Sequence, residues 1–161
     1  MALSRELALD DAQKEDMLTN DWNVRIASVD ANGNINLTPM WFSWAGGRMY
    51  IMGRGQKVVN LRRNEKCTVL VDRNERFPEL QAIMMRGTAK ILETAEEEAA
   101  DPHLAEAQAQ MGVKYNGGHG TPALENPGPT KSTATGRNRR WIVFTPERTV
   151  TWDNFKLKRL A

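Results

Sequence analysis

MYIMGRGQKVVNLRRNEKCTVLVD, Met49 to Asp72, holds two apolar runs separated by a short helical pattern. The first run ends in Gly53-Arg54-Gly55-Gln56-Lys57. Gln56 to Arg63 then reads as a helix of barely two turns, and Cys67 to Asp72 as a strand. The helix is an insertion between strands, not a βαβ crossover, so the flanking strands are expected to be antiparallel. Glycines at a helix entrance let backbone approach a ligand closely. The helix N-terminus offers unpaired N–H groups and a partial positive charge, which suits an anion. The spacing is not the GxxxxGK[ST] of a P-loop, which argues against ATP hydrolysis.

Outward from this stretch, the pattern is mostly strand. Trp22–Asp30 alternates, Ala31–Asn34 (ANGN) signals a turn, and Ile35–Trp44 completes a hairpin. Pro39 within the second strand points to an edge or a bulge. Arg48–Gly53 is the third strand, and Gln81–Glu93 is a long strand with Gly87 as an expected bulge. Arg139–Leu157 reads as a strand, a turn at Pro146-Glu147 and a last strand. Helices are expected at about 4–18, capped by Ser4, and from Thr94, with Pro102 interrupting the second. Asn116–Arg140 is rich in Gly, Pro, Ser and Thr. It reads as a solvated basic loop or a lid carrying Lys131, Arg137, Arg139 and Arg140.

The 161 residues suffice for one domain, expected to span 1–161 with a helical and loop insertion at about 94–139. Net charge is +2, from 22 basic and 20 acidic residues, which argues against a nucleic-acid binder driven by bulk charge. Cys67 is the single cysteine, which fits a reducing cytoplasm. The charged N-terminus reads as neither signal peptide nor membrane span. His103 and His119, with Cys67 in a strand pattern, make no zinc constellation, and no GxSxG is present.

Four stretches, taken in order, resemble the pyridoxamine 5′-phosphate oxidase-like family of FMN-binding split barrels. They are VRIASVDANGNINLTPMWF, GRMYIMGRGQKVVNLRRNEKCTVLVD, MMRGTAKIL and RWIVFTPERTVTW. The resemblance implies a mainly β fold, a six-stranded antiparallel split β-barrel with a few peripheral helices. It implies a homodimer with a cofactor in each of two grooves between subunits. It also implies a flavin-dependent oxidoreductase that moves a hydride to or from a small organic substrate. The cofactor would be FMN, with coenzyme F-420 (a deazaflavin) or haem as alternatives. A non-catalytic flavin- or haem-binding carrier or sensor is the alternative function. Lys57 stands where relatives bind the cofactor phosphate, with Arg54 as second cation and Gln56 and Asn60 on the same short helix. Pro39, Met40, Trp41 and Phe42 match the strand beside the ring, and Trp152 would pack in the dimer or reach the other subunit's cofactor. Arg86 reads as a dimer salt bridge or a cofactor contact. No catalytic acid or base is identifiable. The basic strand signature and the arginine-bearing terminal motif of true pyridoxamine phosphate oxidases are absent, since the chain ends WDNFKLKRLA.

Overall fold

The computed structural model describes residues 6–115 and 139–159. In chain order it has α1 (Asp11–Asn20), β1 (Val24–Val29), β2 (Ile35–Met40), β3 (Phe42–Ala45) and β4 (Arg48–Gly53). Then follow α2 (Gln56–Arg63), β5 (Lys66–Arg73), β6 (Gln81–Leu92), α3 (Ala95–Ala100), α4 (Leu104–Tyr115) and β7 (Arg140–Asp153). Short 3-10 turns occupy Phe77–Glu79 and Asn154–Arg159. No described helix is long and apolar enough to cross a membrane.

The helix expected at about 4–18 is interrupted: Glu6 is helical, Leu7–Asp10 are not, and a helix runs from Asp11. Asp10, not Ser4, is its cap, and Ser4 lies outside the described residues. The Asp10 carboxylate accepts from the Gln13 N–H at 2.8 Å, and the Gln13 side chain accepts from the Asp10 N–H at 2.9 Å. This reciprocal box satisfies two of the four orphan donors of a helix start. The residues before it are tied to β7, where Leu7 O accepts from Asp153 N–H and Leu9 N–H donates to Thr151 Oγ1. The second helical region breaks at Pro102 as expected, giving α3 and α4.

All seven strands lie in one antiparallel sheet, ordered β2-β1-β5-β6-β7-β4-β3. Its two edge strands, β2 and β3, are consecutive in sequence and joined by Trp41 alone. Consecutive Cα atoms are only about 3.8 Å apart, so the two edges must come together. The sheet therefore curls on itself. No ladder joins β2 to β3, and the barrel stays split along that seam.

The described residues form seven strands rather than six, and they are not the segments the pattern suggested. The expected Ile35–Trp44 strand breaks at Trp41, because its two halves lie on opposite edges of the sheet. Pro39 sits on edge strand β2, where its missing N–H costs no ladder bond. At the other end, the expected turn at Pro146-Glu147 is absent. β7 runs straight through, and Glu147 is the extra residue of a bulge opposite Arg86 and Gly87. The bulge at Gly87 is as expected.

Two cores flank the sheet. Inside the barrel, Val24, Ile26, Phe42, Ile51, Val69, Val71, Ile83, Met85, Ile142 and Phe144 pack together. Val58 and Leu61 of α2 plug that core from one end. On the opposite face of β3, β4 and β7, α4 buries Leu104, Ala107 and Met111 against Tyr50, Trp141 and Val143. Each Val, Leu, Ile, Phe or Met among them contributes about 1.5–3 kcal/mol by leaving water.

The bulge has a steric requirement that can be tested. A Cβ on Gly87 would lie 2.0 Å from the Thr145 carbonyl oxygen, a backbone atom that cannot swing aside. Gly87→Ala is expected to destabilise the protein by about 2–3 kcal/mol in urea unfolding. An unchanged midpoint would show that β7 can move off β6 there at no cost.

Candidate functional site

β4 ends at Gly53, Arg54 follows, and Gly55 is the N-cap of α2 with φ 72° and ψ −148°. A positive φ of this kind is tolerated readily by glycine alone. Gly55 has no side chain to cap the helix, and among the described residues no side-chain cap hydrogen bond is made there. Its carbonyl accepts from Val58 and Val59 N–H, which leaves the N–H groups of Gln56 and Lys57 at an open, electropositive end. Arg54 is exposed and Lys57 half-buried. The Lys57 ammonium donates to Arg54 O at 3.2 Å. Burial, and then the Arg54 charge, hold its pKa below the ordinary lysine value. Two cations beside a helix start, one of them partly desolvated, gain by meeting an anion.

Asn60 turns inward from this helix, and Gln56, exposed one turn earlier, reaches back to it. Asn60 is fully buried. Its Nδ2 donates to Ser28 Oγ at 3.2 Å, and its Oδ1 accepts from Gln56 Nε2 at 2.8 Å. Asn60 thus fixes α2 to β1. Ser28 stands opposite Asn36 on β2. Asn36 Oδ1 and Thr38 Oγ1, two residues apart on the same face of β2, are buried without a hydrogen-bond partner. Such orphans are uncommon in a folded protein. Sequence reasoning missed both, although the polar residues at 36 and 38 alternate in step with Met40.

Met40 packs at the margin of the barrel core, and Pro39 is exposed on the opposite face of β2. Phe42 stands opposite Ile51, so the chain before Phe42 runs beside the chain after Ile51. This brings Met40 and Pro39 toward Gly53 and Arg54, and β2 touches β4. Pro39, Met40, Arg54 and Lys57 are therefore brought to one end of the barrel.

Trp41, Phe42 and Trp152 lie elsewhere. Phe42 is wholly buried in the barrel and offers no surface to a ligand. Trp41 stacks on Tyr115 with ring centroids 4.3 Å apart and planes 5° apart, and Trp22 meets the same ring edge-on. Trp152 is half-buried opposite Ala82, far along β7. The expected lid, with Lys131 and Arg137, lies outside the described residues, as does His119. Arg140 is held by Glu93 at 3.1 Å.

Lys114 is a buried cation that the sequence did not signal. Its ammonium donates to the carbonyls of Asp21 at 3.0 Å and Phe42 at 3.1 Å, and lies 4.0 Å from the Phe42 ring centroid. Burial lowers its pKa to about 8, opposed by the Asp21 charge. Cys67 is buried, which pushes its thiol up to about 12 and leaves it inert as a nucleophile. Among the described residues, no three His, Cys, Asp or Glu side chains converge as metal ligands.

Lys114 predicts a pH dependence. Its folded pKa of about 8 lies below the ordinary 10.5, so above pH 8 the unfolded chain binds more protons and stability rises with pH. Burial raises Tyr50 and Tyr115 above the ordinary 10.0, so above pH 10 stability falls again. Urea unfolding of the wild type is expected to show a stability rise between pH 8 and about 10 that Lys114→Met lacks. Parallel curves for the two proteins would place the Lys114 ammonium in water.

The sequence profile described as pyridoxamine 5′-phosphate oxidase matches residues 11–153. No curated protein matches the sequence. Among solved structures, the chain is similar to a conserved hypothetical protein of Mycobacterium tuberculosis. That match has 22% identity and a TM-score of 0.74, covering 95% of this chain and 90% of the other. It is also similar to the haem storage protein HutZ of Vibrio cholerae, with 13% identity, a TM-score of 0.65 and coverage of 88% and 94%. An F420 reductase is similar at 20% identity, with a TM-score of 0.58 and coverage of 84% and 94%. At these identities the structures speak to the fold alone. The profile spans most of the chain and settles the family: this protein belongs to the pyridoxamine 5′-phosphate oxidase family.

Proposed function

We propose that the protein is a flavin-dependent oxidoreductase that holds FMN at the end of the barrel where α2 begins. The observation that carries this reading is the pairing of Arg54 and Lys57 with the uncapped start of α2. A phosphate there would meet two cations and free N–H groups at once. The residues fit the group in a second respect. The orphaned Asn36 and Thr38 oxygens lie on the inner face of β2, where Asn36 stands opposite Ser28, the residue that accepts from Asn60. The end of β2, with Met40 on its inner face, supplies an apolar wall next to the cations. FMN supplies hydride chemistry when bound, and the protein binds, orients and keeps the groove dry. No described side chain is placed as a general acid or base. Coenzyme F420 is the competing ligand, and its longer acidic tail would need cations beyond Arg54 and Lys57.

We further propose a homodimer through the outer face of β2, β1, β5, β6 and β7. The ladders align Pro39, Arg25, Leu70, Met84 and Val150 in one row across five strands, each at least partly exposed. Ile35 and Leu37 on the same face are 73% and 61% exposed. Apolar side chains gathered on one sheet face in this way suit a partner surface. A second copy there would bring Trp152 of one subunit toward the groove of the other.

Fluorescence titration of the purified protein with FMN, and separately with coenzyme F420, tests the phosphate anchor. FMN is expected to bind, and Lys57→Ala to weaken it by about 10–100-fold, the worth of a charge-assisted contact. Tighter binding of coenzyme F420 would transfer the reading to the deazaflavin. Binding of neither, with haemin bound instead, would favour the carrier alternative.

A further inference from the structure

The bulge on β7 creates a charge problem that the fold does not solve. On the side of Gly87 toward Thr88, the ladder pairs Thr88 with Thr145 and Gly87 with Pro146. Continued without interruption, that register would set Arg86 opposite Glu147, a cross-strand ion pair. The bulge inserts Glu147 as an extra residue, and Arg86 stands opposite Arg148 instead. Directly opposed side chains start about 4.5–5.5 Å apart, and like charges in that position are destabilising. The arrangement is fixed by Gly87, since a Cβ there would run into the Thr145 carbonyl.

Four arginines among the described residues are paired with acids. Arg25, on the same outer face, pairs with Asp72 on the neighbouring strand. Arg73 bridges Asp16 and Asp21, while Arg62 and Arg140 share Glu93. Arg86 and Arg148 are both exposed, and neither forms an ion pair with a described residue. Beside them on the same face lie Met84 and Val150, opposite one another, with Val150 39% exposed. From Thr145 onward β7 pairs only with β6, so the arginine pair stands at the rim of the face and not at its centre.

We propose that Arg86 and Arg148 form a seat for the acidic group, carboxylate or phosphate, of a small molecule bound at the rim of the dimer face. Two guanidinium forks side by side match the paired oxygens of either anion. Bulges recur beside binding sites because they re-aim side chains, and this one exchanges a stabilising ion pair for two aligned cations. The seat is distinct from the Arg54 and Lys57 end of the barrel, and its test does not depend on a flavin.

The test is an NMR titration of arginine Nε–H signals in the full chain, with inorganic phosphate and separately with succinate. Saturable shifts of the Arg86 and Arg148 signals are expected, and the ion that saturates at lower concentration identifies the acidic group. Arg148→Glu restores a cross-strand ion pair. It is expected to raise the thermal midpoint, to weaken anion binding by about tenfold or more, and to leave the FMN titration unchanged. Arg148→Gln removes the charge without adding one, and is expected to weaken binding likewise should the glutamate variant fail to fold. Shifts that grow linearly without saturating would overturn the proposal. So would a lowered midpoint in both variants. Conversion of a dimer to monomer by Arg148→Gln would also overturn it, because the pair would then be a subunit contact.

Discussion

The barrel depends on how the chain is held as it passes from one edge of the sheet to the other at Trp41. A single residue joins β2 to β3, so the peptide groups around it cannot all be satisfied by strand ladders. The end of α4 completes them. The Tyr115 hydroxyl accepts from Phe42 N–H at 3.0 Å and donates to Trp22 O at 2.8 Å. The Lys114 ammonium takes Phe42 O, and one turn earlier Gln110 accepts from Trp44 N–H at 3.3 Å. Side chains of α4 thereby cover the free edge of β3, a protection that edge strands commonly need. Stacking of Trp41 on Tyr115 closes the clamp. The burial of a lysine is the cost of this arrangement, since an ammonium leaves water to satisfy two carbonyls.

That clamp also shapes the candidate site. With Phe42 in register opposite Ile51, the last residues of β2 come alongside the exit of β4, where Arg54 and the start of α2 lie. An apolar strand end and a cationic helix entrance become neighbours only because the sheet closes at Trp41. The inner face of β2 then carries Asn36 and Thr38 toward the Ser28–Asn60–Gln56 hydrogen bonds. Polar atoms left without partners at that end, beside cations left without acids, place its unspent interactions on one side of the barrel. Local dissatisfaction of this kind recurs where a fold serves a ligand as well as its own stability.

Much of the path was legible from local chemistry. Gln56–Arg63 was read to the residue, because two glycines before it and a change of period after it mark both ends. The ANGN turn was equally plain: the Asp30 carboxylate accepts from the N–H groups of Asn32 and Asn34, and Gly33 takes φ 84°. Gly87 stood out as a glycine inside a strand pattern. What escaped depended on partners distant in sequence. Nothing in INLTPMWFSW says that its halves lie on opposite edges, since closure is a property of all seven strands. Alternation in β2 is inverted, with Ile35 and Leu37 outside and Asn36 and Thr38 inside. Pro146-Glu147 looked like a turn because a bulge and a turn use similar residues. Of the candidate site, the cation pair at α2 was legible by resemblance to a family. Phe42 and Trp41 were placed by packing that only the clamp reveals, and Lys114 lies on a helix whose sequence gives no reason to bury it.

The central claim is that a flavin phosphate sits at the start of α2. The most direct measurement is a crystal structure of the protein grown with FMN. The account predicts phosphate oxygens within hydrogen-bond distance of the Lys57 ammonium and the first N–H groups of α2, with the ring against Met40. A flavin bound elsewhere, or with its phosphate in solvent and Arg54 and Lys57 untouched, would contradict it.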